Sequence, residues 1–388
     1  MQCKFLKHGI TLAYQDVVQP CCVWQFDQEW KDTHRLNQVN LVDWHQQPEL
    51  VMANNYVHNG KWPKNCTYCK DIEAHGRKDS MRLNAERSYS DFQPDDIVLE
   101  IRPGSVCNFA CQTCWPIASS RVHQYHKAAN ILPTESDINS MEILRGADAV
   151  KATPIVNFDQ LLPVAKRIRQ IILLGGEPFY DKNCLEFFNW WEQHTDARLT
   201  VFTNGSVLDI EKIKQFKNPL TLVFSLDATE RAAEYIRFGT HWPTVWENYN
   251  LAKQIPGIEI RVNITTSVYN FYYVSDLIDL LIPDWPAVVS FGPATENQFK
   301  EHVIPHGYRE KIILRLQETV TKLRDANIES GQKSNAINAI LSIIANLQVH
   351  VFSPENYTAL KDFIYSMDRV KGIRIDNHCP YVVEFLGM

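Results

Sequence analysis

Three cysteines, Cys107, Cys111 and Cys114, fall between Ser105 and Trp115. Intervals of three and then two residues bring three soft thiolate ligands into one short loop. Such a set suits one side of a four-iron cluster, whose fourth iron then has no protein ligand and can hold a substrate or a cofactor. A zinc knuckle is the other chemistry open to this loop, and it closes with a fourth Cys or His. His123 and His126 follow, but as positions on the next helix, where a histidine is ordinarily exposed.

A second group precedes the loop: Cys3, Cys21, Cys22, Cys66 and Cys69. Cys66 and Cys69, two residues apart, make a two-ligand hook. With Cys3 and one of Cys21 or Cys22 they supply four thiolates, a full set for one further [4Fe–4S] cluster or one zinc ion. Of the two remaining cysteines, Cys184 falls in a helical pattern and reads as a buried thiol. Cys379 is open to two readings, a hydrogen donor or spare cluster ligand brought back over the site, or an ordinary thiol.

The elements that must position these groups are legible around them. A β-rich run, Ile97 to Ile101, precedes the loop and a helical pattern over 117–127 follows it, so the cysteines sit at the C-terminal end of a strand. That end carries the active site in a β/α barrel. A second apolar strand, Ile171 to Leu174, runs into Gly175, Gly176, Glu177 and Pro178. Glycines there let a ligand approach the backbone, and the carboxylate can take an ammonium group. Strand-like runs at 97–101, 168–174, 198–203, 220–226, 257–268 and 287–292 are separated by helical patterns such as 182–194 and 244–254. That alternation predicts consecutive βα units on a parallel sheet, an α/β fold in which six units make a partial barrel. The polar stretch 134–159 has room for an extra helix over the barrel mouth. Past Pro293 the pattern is helical, with apolar stripes through Ile312, Leu316, Val320 and Leu323, through Ile337, Ile340, Leu341 and Ile344, and through Leu360, Ile364 and Met367. Ser353 and Pro354 offer an N-cap and a first-turn proline.

Between Asp96 and Pro293 the chain resembles the radical S-adenosylmethionine superfamily. The resemblance rests on Cys107, Cys111 and Cys114, on Gly175 to Pro178, and on two later strand ends, Val201 to Gly205 and Val223 to Asp227. It implies that the three cysteines hold a [4Fe–4S] cluster whose open iron is chelated by S-adenosylmethionine. Gly175, Gly176 and Glu177 would then hold the amino end of the methionine moiety, and Trp115 would lie beside the adenine. Thr203 and Asn204 lie at one matching strand end. Ser225 and Asp227, at the other, would contact ribose or carboxylate, with Arg237 available to pair with a carboxylate. The implied reaction is reductive cleavage of S-adenosylmethionine to a 5′-deoxyadenosyl radical, which takes a hydrogen atom from substrate in a water-excluding barrel. An electron donor such as flavodoxin or ferredoxin is implied as partner.

The N-terminal cysteines resemble the auxiliary-cluster (twitch or SPASM-like) subgroup of that superfamily, on Pro20, Cys21, Cys22, Cys66, Cys69, Glu73, Gly76, Ser80 and Arg82, with Glu230 to Arg237. In many members of that subgroup these cysteines follow the barrel, whereas here they precede it. The implied layout is an auxiliary module at 1–95, the barrel at 96–295 and C-terminal helices at 296–388. The subgroup's substrates are ribosomally made peptides and proteins, or small molecules that are dehydrogenated, epimerised or rearranged. A non-catalytic protein holding zinc at both cysteine sets is the contrasting reading.

Composition narrows the rest. A chain of 388 residues is long enough for a large core, and a formal charge of −6 argues against nonspecific nucleic-acid binding. No apolar run of roughly 18 residues predicts a membrane span, and no secretory core follows Met1. Ten cysteines without an export signal predict a reducing, cytoplasmic location.

Overall fold

The structure, a computed structural model, describes residues 1–12, 16–76, 78, 80–131 and 157–387. Seven strands follow one another through a single sheet in sequence order: β1 (Gly9–Leu12), β2 (Ile97–Ile101), β3 (Ile168–Leu173), β4 (Arg198–Thr203), β5 (Leu220–Ser225), β6 (Glu259–Thr266) and β7 (Val288–Pro293). Every described ladder is parallel, with β1 to β2 aligned Gly9 to Val98, β3 to β4 Gln170 to Arg198, and β5 to β6 Thr221 to Glu259. Sequence-ordered parallel strands with helices in the connections are the topology of a partial β/α barrel. All five residues of β2 are buried, as strands covered on both faces must be, whereas β6 alternates buried and half-buried positions.

Six of the strands fall where the apolar runs place them. The seventh, β1, lies inside the stretch expected as a separate cysteine module. Its four residues are too few to show a period, and only the pairing with β2, some ninety residues on, makes them a strand. The helix after the cysteine loop starts at Ser120 rather than 117, because Ala118 N–H turns back to the Trp115 carbonyl at 3.0 Å and the Ser119 side chain caps Val122 N–H. Most of the stretch 134–159 lies outside the described residues.

The chain forms two compact units. The first comprises Met1–Val106, Pro133–Val201 and Gln215–Leu220, with Ile10, Leu12, Trp44, Phe187 and Trp191 fully buried in its core. The second comprises Cys107–Leu132, Phe202–Lys214 and Thr221–Met388, so the C-terminal helices share a unit with the cysteine loop. Its core is built on Phe109, Phe224, Tyr235, Tyr249 and Phe271. The helices His306–Asp325, Ser330–Val349 and Pro354–Lys371 bury most of the expected stripes, but Ile337 is only half-buried and Leu341 stays exposed. Ser353 Oγ accepts Asn356 N–H at 3.3 Å, the predicted cap. Among the described residues no single helix is long and apolar enough to cross a membrane.

Candidate functional site

The cysteine loop has no regular secondary structure and is held by its backbone. Ala110 N–H donates to the Phe238 carbonyl at 2.8 Å and Gln112 N–H to the Ile236 carbonyl at 2.8 Å, while Gln112 Nε2 donates to the Tyr235 carbonyl at 3.3 Å. Phe109 plugs the loop into the core, and its N–H donates to Cys107 Sγ at 3.3 Å. Gly239 packs there with φ at 111°, and a Cβ on it would stand 2.9 Å from the Phe109 ring. That position therefore needs glycine twice over. Arg121 donates to the Asn108 carbonyl, and Lys371 Nζ donates to the Ala110 carbonyl at 2.8 Å and to Gln112 Oε1 at 3.0 Å. Of the two residues at the end of β4, Thr203 and Asn204, Asn204 reaches the loop, its Nδ2 donating to Asn108 Oδ1 at 2.9 Å. Thr203 turns instead to its own loop, where Oγ1 accepts Gly205 N–H at 3.0 Å.

Charge is concentrated beside these thiols. Asp227, buried just past β5, accepts Thr265 N–H at 2.7 Å and pairs with Arg237 Nη1 at 2.9 Å. Arg237 is thus half-buried and paired with the buried Asp227, rather than lying free on the surface. Its Nε has no hydrogen-bond partner among the described residues. Cys111 and Cys114 both act on the Arg237 guanidinium, holding its charge in place against the cost of burial. Burial pushes the Cys111 thiol up, while Arg237 and Lys371 pull it down. Ser225 ends β5 half-buried, and Trp115 Nε1 donates to Thr295 Oγ1 at 3.2 Å.

In the first unit, the Gly175 to Pro178 turn is fastened to the segment that leads into the cysteines. Glu177 N–H donates to the Val106 carbonyl at 2.9 Å, and Val106 N–H donates to Asp181 Oδ2 at 2.8 Å. A Cβ on Gly176 would stand 2.2 Å from the Val106 oxygen, so the glycine is required by backbone packing. The Glu177 carboxylate is buried, and its Oε1 accepts Phe179 N–H at 3.3 Å. Asp181, which no sequence pattern marked, both caps the helix Lys182–His194 and holds Val106.

Four of the N-terminal cysteines meet. Cys3, Cys21, Cys66 and Cys69 line one small cavity with Trp24, Trp62 and Arg82. Burial pushes the Cys3 thiol up to about 11 and the Cys66 thiol to about 12, with the neighbouring thiols raising Cys66 further. Backbone N–H groups of Phe5 and Leu6 point at Cys3, that of Val23 at Cys21, and those of Met81 and Arg82 at Cys69. Such donors favour the thiolate over the thiol. Cys22 does not line that cavity, although it acts on Cys21 and is acted on by Cys69; it lies against Glu100, whose carboxyl burial pushes up to about 7. Glu73, Ser80 and Arg82 form one network under Cys69: Arg82 grips Glu73 at 2.9 and 2.6 Å, and Ser80 Oγ donates to Glu73 at 2.6 Å. None of the ten cysteines is in a disulfide. Among the described residues no three Cys, His, Asp or Glu side chains converge closely enough to hold a single ion.

Cys379 is fully buried, and burial raises its thiol beside Asp368. Cys184 is buried as expected, whereas His126 is buried rather than exposed.

No protein-family model and no curated protein matches the sequence. Solved structures do. The chain is similar to native anSMEcpe with bound AdoMet and the Cp18Cys peptide, at 16% identity, 59% of this chain, 61% of that chain and a TM-score of 0.41. It is similar to Streptococcus suis SuiB bound to the precursor peptide SuiA, at 14% identity, 74% and 60% coverage and a TM-score of 0.37. TYW1 with a lysine–pyruvate adduct follows at 13% identity, 65% and 81% coverage and a TM-score of 0.38. The chain spans about three fifths of the length of anSMEcpe and SuiB.

Proposed function

We propose that this chain is a radical S-adenosylmethionine enzyme that takes a hydrogen atom from a ribosomally made peptide or protein. The observation that carries the reading is the loop of Cys107, Cys111 and Cys114, three thiols fixed by backbone hydrogen bonds with Arg237 beside two of them. The donor set fits a [4Fe–4S] cluster: it is all sulfur, half-buried to buried, and faced by cations that offset the charge of cluster-bound thiolates. The Arg237 Nε–H, buried without a partner, is a donor left over for an anionic ligand such as a carboxylate.

When bound, the cluster and S-adenosylmethionine supply an electron and, through it, a 5′-deoxyadenosyl radical. The chain's own residues then have separate tasks. Cys107, Cys111 and Cys114 would ligate the cluster, Gly175, Gly176 and Glu177 would receive the amino end of the cofactor, and Trp115 would serve its adenine. Asp227 orients Arg237, and Asn204 braces the cysteine loop through Asn108. Thr203 and Ser225 complete the strand-end rim. Cys3, Cys21, Cys66 and Cys69 form the ligand set of an auxiliary [4Fe–4S] cluster, with Cys21 rather than Cys22 because Cys21 shares their cavity. A flavodoxin or ferredoxin is the proposed electron donor, and the cytoplasm the proposed location.

Anaerobic reconstitution with iron and sulfide tests the reading. About eight irons per chain and reductant-dependent release of 5′-deoxyadenosine are expected, as two four-iron clusters require. About one zinc at each cysteine set, without cleavage, refutes it. Incubation with peptide fractions against small-molecule fractions, scored by mass loss of hydrogen, separates the substrate classes.

A further inference from the structure

The cysteine loop is tied to a residue far away in sequence that no motif marked. Lys371 is the last residue of the helix Pro354–Lys371, which Gly372 ends in a left-handed conformation with φ at 65°. Its side chain is only 8% exposed. The ammonium donates to the Ala110 carbonyl at 2.8 Å and to Gln112 Oε1 at 3.0 Å, so it grips the residues on both sides of Cys111. The rings of Phe238 and Tyr125 lie 5.2 and 5.9 Å from Nζ. Burying a lysine is costly unless its charge is answered, and two acceptors with two aromatic faces answer it in part. Cys111, Asp368 and Cys114 add attraction, Arg121 opposes it, and burial still leaves the ammonium's pKa lowered.

We propose that Lys371 is a positioning residue for the loop cluster: it fixes the Cys111 segment and, by holding a positive charge against that segment, would set the cluster's reduction potential. The proposal rests on the cluster reading given under Proposed function. Reduction adds an electron to a group already carrying negative thiolates, so a buried cation nearby favours the reduced form. The same contact ties the C-terminal helix to the loop, and a change in that helix would then reach the cluster.

The test uses the full chain, reconstituted anaerobically, with the potential read by redox titration of the EPR signal that S-adenosylmethionine perturbs. Lys371→Gln keeps a donor without the charge, and Lys371→Arg keeps the charge. Lys371→Gln is expected to lower the midpoint by at least the 59 mV that a tenfold change in a one-electron equilibrium represents. Lys371→Arg is expected to stay within that tenfold. Should Lys371→Gln fail to load iron at the loop, loading by Lys371→Arg supports the proposal, and loss in both overturns it. Equal potentials in Lys371→Gln and the unsubstituted chain also overturn it, with the cluster reading intact. A chain without iron at the loop in its unsubstituted form fails that earlier reading instead.

Discussion

At the scale of single residues, the two cysteine sets carry different expectations. Cys107→Ala removes a proposed ligand of the loop cluster and is predicted to abolish 5′-deoxyadenosine release. Cys66→Ala is predicted to reduce substrate turnover more than cofactor cleavage, and both are read by chromatography of the same reactions. Equal loss from both would mean that the N-terminal set mainly supports folding. Asp227 makes a sharper point, because it is buried and its partner Arg237 is largely withdrawn from water. Asp227→Asn keeps the shape and an acceptor for Thr265 N–H but leaves that cation unanswered, which costs about 3–5 kcal/mol. Urea unfolding measures that cost, and a change below about 1 kcal/mol would show that the pair is not structural.

At the scale of elements, the segment entering the cysteine loop depends on close backbone contact. Gly176→Ala sets a methyl group 2.2 Å from the Val106 oxygen, and no flexible side chain is there to yield. The Gly175 to Pro178 turn must then move away from Val106, with a predicted loss of more than about 1 kcal/mol and impaired cofactor cleavage. Alanine at Gly175, where the nearest atom is Cys184 Sγ at 3.1 Å, is predicted to cost less, and thermal unfolding of the pair compares them. The helix Ser120–Ala129 carries its own pH dependence. His126 is buried edge-on to Phe363, and burial, with Lys371 and His123 adding to it, lowers its pKa from 6.5 to about 4. The unfolded chain therefore binds this proton more readily, and stability falls as pH drops from about 6.5 towards 4, by up to about 3 kcal/mol. His126→Leu is predicted to flatten that part of the stability–pH curve in chemical denaturation. An unchanged slope would place the titration elsewhere.

At the scale of the whole molecule, the proposed clusters would couple metal loading to folding. The thiols of Cys3, Cys21 and Cys69 are buried and that of Cys66 half-buried around one cavity, and desolvation there favours the protonated form of all four. Ligation exchanges their protons for a bound cationic core, so loading is favoured as pH rises and stabilises the folded state by mass action. Anaerobic thermal unfolding is predicted to show a higher Tm after reconstitution, and Cys66→Ala is predicted to lose part of that gain. A Tm indifferent to iron and sulfide would remove the N-terminal set from the proposal.

Local sequence determined much of this protein. Six strands, the helix Lys182–His194, the Ser353 cap and the position of the cysteine loop after a strand were all readable from runs of neighbours, because apolar periodicity and capping act over a few residues. Long-range packing decided the rest. Only the fold could make a strand of Gly9–Leu12, gather Cys21 instead of Cys22 with Cys3, Cys66 and Cys69, commit Arg237 to Asp227, and bring Lys371 against Ala110 from 261 positions along the chain. Each of these is a contact between segments whose own patterns are ordinary, and burial gives the side chain its role.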